Sequence, residues 1–193
     1  KSYFVMNDLS EVYLAGLSIP ELQAKHDLSL NDLMTYLPAP ADELEKGKIE
    51  VHYLGYYLKW TPQEVYYYAV ENTGFQARPF RTEGTYSKYN SIDDKIDDLH
   101  YYTTWIKFGL GRASYDASQE IRNKHLTRED GIALVKQFDG EVPQRYIREV
   151  MDHLGMDVEE FFELCDKFRS PHLWEKKTDG SWKMRSPIWE MEA

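Results

Sequence analysis

Apolar positions recur at helical spacing through most of the second half of the chain. Ile92, Ile96, Leu99, Thr103, Ile106 and Leu110 follow one another at intervals of four and three, which predicts a single helix over 92–110 with this stripe toward a core. A shorter helix is expected over about Tyr115–Asn123, and another from a Thr127 cap to about Phe138. Pro143 opens a fourth, with Tyr146, Ile147, Val150, Met151 and Leu154 inward and Gly155 at its end. Asp157-Val-Glu-Glu160 starts a fifth, carrying Phe161, Leu164 and Phe168. Upstream, Thr61-Pro-Gln-Glu64 combines a capping hydroxyl, a first-turn proline and a glutamate three residues after the cap. That helix should run to about Asn72 and close at Gly74.

Alternation replaces the helical period in "KIEVHYLGYYLKW". Ile49, Val51 and Tyr53 share one face, and Leu54, Tyr56 and Leu58 the other, so a strand over Lys48–Lys59 is expected inside a sheet. The chain offers few strands to pair with it, which places its partners in another half of the protein or in another copy of the chain. Asn7 to Pro40 reads as short helices broken by turns, with Ser29-Leu-Asn-Asp32 as one cap. Phe75 to Ser91 is a long polar loop, and long loops in compact domains tend to carry function. The tail "LWEKKTDGSWKMR" predicts a hairpin turning at Asp179-Gly180. The expected fold is mainly α with a small β component. Residues 1–47 form a helical connector, 48–170 a domain of one strand plus helices, and 171–193 a hairpin tail.

Composition narrows the chemistry. A chain of 193 residues suits one domain, or a domain with a small appendage. The net charge of −10 argues against a general binder of nucleic-acid backbones, while leaving room for a local basic pocket. Fifteen tyrosines point to polar pockets, since the ring buries while the hydroxyl seeks a partner. Cys165 is the only cysteine, which excludes an internal disulfide and a cysteine-cluster metal site and fits a reducing cytoplasm. No run approaches the ~20 apolar residues of a membrane helix, so no membrane insertion is expected. No signal-peptide pattern opens the chain, and Lys1 in place of an initiator methionine fits processing or excision from a larger protein.

The densest chemistry lies in "EGTYSKYNSIDDKIDDLHYYTTWIKFGLGR", Glu83 to Arg112. On a helix from Asp93, the residues Asp93, Asp97, His100, Thr104 and Lys107 fall at offsets of 0, 4, 7, 11 and 14, beside the apolar stripe. A solvated acidic first turn at the positive end of the helix dipole explains the aspartates without further function. "DDKID" also satisfies the D-D-x-x-D pattern by which isoprenoid synthases hold magnesium on diphosphate; the second metal motif and longer bundle of those enzymes are absent. His100 reads first as a packing histidine, and Cys165 as core. Lys88, Lys95, Lys107 and Arg112 bring cations to the same stretch. Gly109 and Gly111 let the backbone leave the helix sharply, and Arg112 then projects where a guanidinium can grip phosphate or carboxylate in bidentate fashion. "GLGRAS" lacks the ending of a Walker loop. A plain helix–turn–helix corner with surface pairs such as Glu120–Lys124 is the alternative.

Longer blocks are more specific. "HYLGYYLKWTPQEVYYYAVENTGF", "RTEGTYSKYNSIDDKIDDLHYYTTWIKFGLGRASYDASQEIRNKHLTREDG", "ALVKQFDGEVP" and "KFRSPHLWEK" closely resemble the C-terminal half of the N-acetyl sugar amidotransferases of lipopolysaccharide and pseudaminic-acid biosynthesis. The resemblance runs from about His52 to Lys176. It implies the C-terminal helical portion of an α/β adenine-nucleotide alpha-hydrolase-like (ATP-pyrophosphatase) enzyme, using ATP and Mg2+ on a sugar nucleotide. The sugar N-acetyl group would be adenylated and then attacked by ammonia, giving an acetamidino sugar for O-antigen or flagellar glycans. A glutaminase and a cyclase-like subunit would supply the ammonia. The family's S-G-G-x-D-S loop is absent from this sequence, so the chain is expected to be inactive alone and completed by an N-terminal nucleotide-binding half. The resemblance picks out this segment, and residue type and position within it assign the roles: phosphate and transition-state charge to Lys88, Lys95, Lys107 and Arg112, magnesium or sugar hydroxyls to Asp93, Asp94 and Asp97, and the sugar to Tyr86 and Tyr89. The competing class is a non-catalytic helical module that docks partner subunits.

Overall fold

Helix starts and stops in this chain are written locally, and most helices follow from them. A computed structural model describes residues 3–4, 12–48 and 50–191; the predicted turn-and-helix reading of 7–11 lies outside those residues. Two compact units divide the chain, residues 1–60 and 61–193.

In residues 1–60, β1 (Tyr3–Phe4) pairs antiparallel with β4 (Val51–His52), and β2 (Tyr13–Leu14) with β3 (Leu17–Ser18). The second pair turns at Ala15-Gly16, both with positive φ as a tight hairpin demands. Helix α1 (Ile19–His26) opens on a capping box in which the Ser18 amide donates to Glu21 at 2.9 Å. The predicted Ser29 cap of α2 (Leu30–Leu33) forms: the Asp32 amide donates to its hydroxyl, and the Ser29 amide returns a bond to the Asp32 carboxylate. Val12, Ile19 and Leu33 make the small core, and α3 (Ala41–Lys46) follows.

The long strand over 48–59 does not form. Only Val51–His52 pairs, with Tyr3–Phe4 of the same chain, and Leu54–Tyr57 turns into the one-turn helix α4. Tyr53, Leu54, Tyr56, Tyr57, Leu58 and Trp60 are all more than half exposed, so the face expected to carry Leu54, Tyr56 and Leu58 is not buried. His52 bridges Glu50 and the Tyr57 hydroxyl, at 2.6 and 2.5 Å, and Tyr57 reaches it only because the chain coils after Tyr53.

Residues 61–193 are helical. Helix α5 (Pro62–Thr73) runs from Thr61 to a left-handed Gly74, as read from sequence, but the Thr61 hydroxyl donates to the Glu64 carboxylate instead of capping a backbone amide. After a loop, α6 (Asp97–Phe108), α7 (Arg112–Arg122), α8 (Arg128–Phe138), α9 (Ile147–Leu154) and α10 (Val158–Lys167) follow. The predicted tail hairpin is present as β5 (Trp174–Lys176) against β6 (Trp182–Met184). Leu99 packs with Ile147, Val150 and Met151, while Tyr102 and Ile106 pack with Cys165, so α6 is the shared spine of two core clusters. The tail is pinned to that spine where the Trp174 indole donates to the Ile106 carbonyl at 2.7 Å.

The helix predicted over 92–110 is shorter than its apolar stripe. Ile92 and Ile96 are 40% and 46% exposed, Leu110 is 63% exposed, and Asp97 is more buried than Ile96. The cause is a competing set of hydrogen bonds. The Asp94 carboxylate accepts from the Ile96 amide at 2.7 Å, and Arg78 takes the carbonyls of Ser91 and Asp94. Those groups are therefore withdrawn from a helix that would otherwise begin at Ile92. The buried face of α6 is Asp98, Leu99, Tyr101, Tyr102 and Ile106. The corner before α7 also differs, since Arg112 is its first residue rather than part of a turn, and α9 starts at Ile147 rather than Pro143.

Candidate functional site

The loop between α5 and α6 carries no regular structure, yet its hydroxyls are buried. Thr82 and Thr85 are fully buried and Ser87 nearly so. The Thr82 amide donates to the Ser87 carbonyl at 3.0 Å, and its hydroxyl donates to the Asn90 carbonyl at 2.8 Å. Gly84 sits at φ 86°, where a side chain would press the Tyr101 Cβ at 3.2 Å. Its amide donates to Glu141, whose carboxylate is also held by both terminal nitrogens of Arg81. Burial raises the Glu141 pKa, but those donors outweigh it and hold the carboxyl below its usual range. Glu83 accepts the amides of Gln144 and Arg145. The loop is thus bolted to the segment before α9 from both sides, by its own Glu83 and by Glu141 of that segment.

Asp116, on α7, organises the other side of the loop. One of its carboxylate oxygens accepts from the Thr85 hydroxyl at 2.6 Å and the Asn90 amide at 2.8 Å. The other accepts from Arg112 Nε at 2.9 Å, one helical turn away. Burial pushes the Asp116 pKa up, with Arg112, Thr85 and Asn90 opposing it. The Arg112 guanidinium lies between the rings of Tyr101 and Tyr115, 5.3 and 5.1 Å from their centroids, and reaches the Tyr101 hydroxyl at 3.4 Å. That hydroxyl meets Ser91, which in turn donates to Asp97. One continuous network therefore joins Asp97, Ser91, Tyr101, Arg112, Asp116, Thr85 and Asn90.

Arg112 is positioned from its other end by Asp139. This carboxylate accepts the Gly111 amide at 3.0 Å, and the Ser114 amide and hydroxyl at 3.1 and 2.5 Å, capping α7 from the end of α8. A Cβ at Gly111 would fall 2.4 Å from Asp139 Oδ1, so the second glycine of "GLGR" is required by space. The first, Gly109, ends α6 in the left-handed region.

Two tyrosines border the network. The Tyr89 ring stacks on Tyr66 at 4.5 Å and its hydroxyl donates to Gln63 at 3.0 Å. The Tyr86 hydroxyl is buried and faces the Glu120 carboxylate. Burial first, then the charges of Glu120 and Asp116, raise both phenols, with Tyr89 pushed up to about 12. Burial likewise raises the Glu120 carboxyl. The surroundings of Arg112 are thus acidic and rich in hydroxyls.

The residues singled out from sequence separate into three places. Arg112 and Asp97 belong to the network, and Tyr86 and Tyr89 flank it. Lys88 is exposed on the loop, and its carbonyl accepts the Arg78 amide. Lys95 pairs with Glu149 at 2.6 Å, Asp94 is spent on its own turn, and Asp93 is exposed. Lys107, exposed, instead lines an apolar groove. No hydrogen bond or ion pair joins Lys88, Asp94, Lys107 and Arg112 among the described residues. Because α6 starts at Asp97, Asp93 and Asp97 do not share a helix edge, and no cluster of three or more metal-ligating side chains occurs among the described residues. The expected Glu120–Lys124 pair is absent among them too, since Glu120 faces Tyr86.

Sequence reading missed Thr85, Asn90, Tyr101 and Asp116. Asp116 stands four residues after Arg112, a spacing that signals the pair on a helix. Nothing local announces that a loop 26 residues upstream, at Asn90, shares the same carboxylate. A model of the family described as LPS biosynthesis protein WbpG-like, C-terminal domain, matches residues 83–188. That span opens at Glu83 and contains the whole Arg112–Asp116 network. A search of curated proteins finds no match to the chain.

Proposed function

Because the chain belongs to the LPS biosynthesis protein WbpG-like family, through its C-terminal domain, we propose that it is the C-terminal part of an ATP-dependent amidotransferase acting on an N-acetyl sugar nucleotide. The carbonyl oxygen of the N-acetyl group attacks the α-phosphate of ATP, and diphosphate leaves. Ammonia then adds to the activated carbon, AMP departs with that oxygen, and loss of a proton leaves the acetamidino group.

The observation that supports this reading is the fixed guanidinium of Arg112. Its Nε is committed to Asp116, its Nη1 reaches the Tyr101 hydroxyl, and it lies close to two tyrosine rings, so its position is fixed before any ligand arrives. A cation held in advance stabilises charge that develops on phosphate in the transition state at no further cost of ordering. On this reading Tyr86 and Tyr89 contact the sugar, and the exposed Lys88 adds a charge on the same loop. No step here is assigned to magnesium, since Asp93 and Asp97 do not gather a metal site in this chain. The N-terminal half, partner subunits supplying ammonia, and a cytoplasmic setting complete the proposal.

The test is AMP formation by the protein joined to its nucleotide-binding half, with ammonium and an N-acetyl sugar nucleotide. AMP should appear only when sugar is present, with an amidine in the product. Arg112→Ala should lower the rate by at least about tenfold, equivalent to about 1.4 kcal/mol of barrier, without unfolding the protein. Sugar-independent AMP, or an unchanged rate in the variant, would remove Arg112 from the chemistry.

A further inference from the structure

Helix α6 has a second polar face that the network leaves unused. His100, Thr104, Lys107 and Phe108 form one wall of a groove of about 460 Å3, and Leu154, Leu164 and Phe168 stand on its far side. Ile106 and Cys165, both buried, make the floor. Burial lifts the Cys165 thiol to about 11, as expected for an apolar floor.

Three rim residues decide what size of occupant fits. Phe108, Leu154 and Phe168 are 57%, 56% and 61% exposed. A small molecule filling the trough would leave these three in water, whereas a protein segment lying along it covers trough and rim together. The groove runs between helices, the setting in which amphipathic helices dock by their apolar face.

Charge decides the kind of segment. The chain has 33 acidic against 23 basic residues, yet no carboxylate lines this groove. Its only lysine or arginine is Lys107; beyond the lining, Lys167 adjoins Phe168, and Glu163 and Asp166 adjoin Leu164 and Cys165 on α10. Neither lysine has a carboxylate partner among the described residues; Lys107 lies only over the ring of Phe108, at 5.3 Å. An unpaired cation on an apolar trough favours a carboxylate at that point of the occupant and disfavours a second copy of this surface, which would bring lysine toward lysine.

We propose that this groove docks an acidic amphipathic helix of a partner protein, its apolar residues in the trough and a carboxylate on Lys107. The probe is a fluorescent helical peptide with leucines at every third and fourth position and glutamates on its flanks. Its counterpart has each glutamate replaced by lysine. The chain should bind the glutamate peptide at least about tenfold more tightly than the lysine peptide. Lys107→Glu should erase or reverse that preference, and Phe168→Asp should abolish binding of both. Both positions are exposed, and unchanged circular dichroism and melting would show the variants folded. Equal binding of the two peptides, no binding of either, or indifference to both substitutions would overturn the proposal. So would sedimentation showing a dimer of the chain that Phe168→Asp dissociates, because the groove would then belong to a second copy.

Discussion

Arg78 and Asp98 face one another at 3.8 Å, Nη1 to Oδ1, with both carboxylate oxygens of Asp98 buried and without a hydrogen bond. Arg78 spends its other terminal nitrogen on the carbonyls of Ser91 and Asp94, the bonds that delay the start of α6. The pair therefore ties the loop that carries Tyr86 and Tyr89 to the first turn of that helix, at the expense of a poorly satisfied charge.

A pH dependence follows from that charge. Burial, then repulsion from Glu83 and Asp97, push the Asp98 carboxyl up to about 6 from an ordinary 3.8, against the pull of Arg78 and Arg145. A carboxyl whose pKa is raised by folding contributes stability that is full below its unfolded value and is lost as pH rises through its folded value. Asp98 should thus weaken the fold progressively between about pH 4 and pH 7, by an amount on the order of 3 kcal/mol. Asp98→Asn removes this titration. The stability difference between wild type and variant, measured by urea unfolding, should shift against wild type across that range. A difference independent of pH would mean that Asp98 ionises as freely in the fold as outside it.

Two glycines with similar backbones separate steric from conformational cost. Gly140 and Gly155 have φ of 78° and 66°. An added Cβ at Gly140 would meet the Trp105 ring at 2.6 Å, while at Gly155 it would meet nothing within 4 Å. Both alanine variants carry the left-handed strain of roughly 1–2 kcal/mol. Gly140→Ala should lose about a further 1–3 kcal/mol from overpacking. Equal losses in chemical denaturation would show that the Trp105 contact is soft.

The register of α6 can be checked by truncating two isoleucines of one apolar stripe. Ile106 is 1% exposed and Ile96 is 46% exposed. Ile106→Ala should cost about 2–5 kcal/mol as a cavity, and Ile96→Ala about 0.5 kcal/mol or less. The reverse order in thermal or urea unfolding would restore the longer helix that periodicity alone predicts.

These two residues also mark what was legible beforehand. Caps and glycine stops act within a few residues, so α5, α8 and the tail hairpin could be read from Thr61, Thr127, Gly74 and Asp179-Gly180. The start of α6 could not, because Arg78 captures its carbonyls from 13 and 16 residues away. Alternation around Val51 suggests a strand, but alternation reports a face to bury, and among the described residues nothing buries Tyr53, Leu54, Tyr56, Tyr57, Leu58 or Trp60. At the site, residue type pointed to Arg112 and to the loop tyrosines. The carboxylate that fixes Arg112 reads as an ordinary surface helix aspartate until the loop folds over it. Lys107, grouped with Asp97 by helical spacing, faces the groove instead, since a face shared over three turns need not serve one site.

The loop and α7 meet at Asp116, and exchanging donors and acceptors there tests whether that meeting orients Arg112. The carboxylate accepts three bonds, from Thr85, Asn90 and Arg112. Asp116→Asn supplies one acceptor oxygen and brings an amide donor against a ring of donors. The Thr85 hydroxyl can turn to accept, whereas the Asn90 amide must turn over to do so and the Arg112 guanidinium cannot accept at all. The substitution should therefore cost about 1–3 kcal/mol and lower sugar-dependent AMP formation through a displaced Arg112. Adding Asn90→Asp restores a donor facing an acceptor, and the Ser87 hydroxyl, which accepts from Asn90 at 2.5 Å, can donate to the new carboxylate. The double variant should recover a substantial part of both losses, a coupling that unfolding free energies in a double-mutant cycle report directly. Simple addition of the two single effects, in stability and in rate alike, would show that Asn90 and Asp116 act independently and that the loop does not set the position of Arg112.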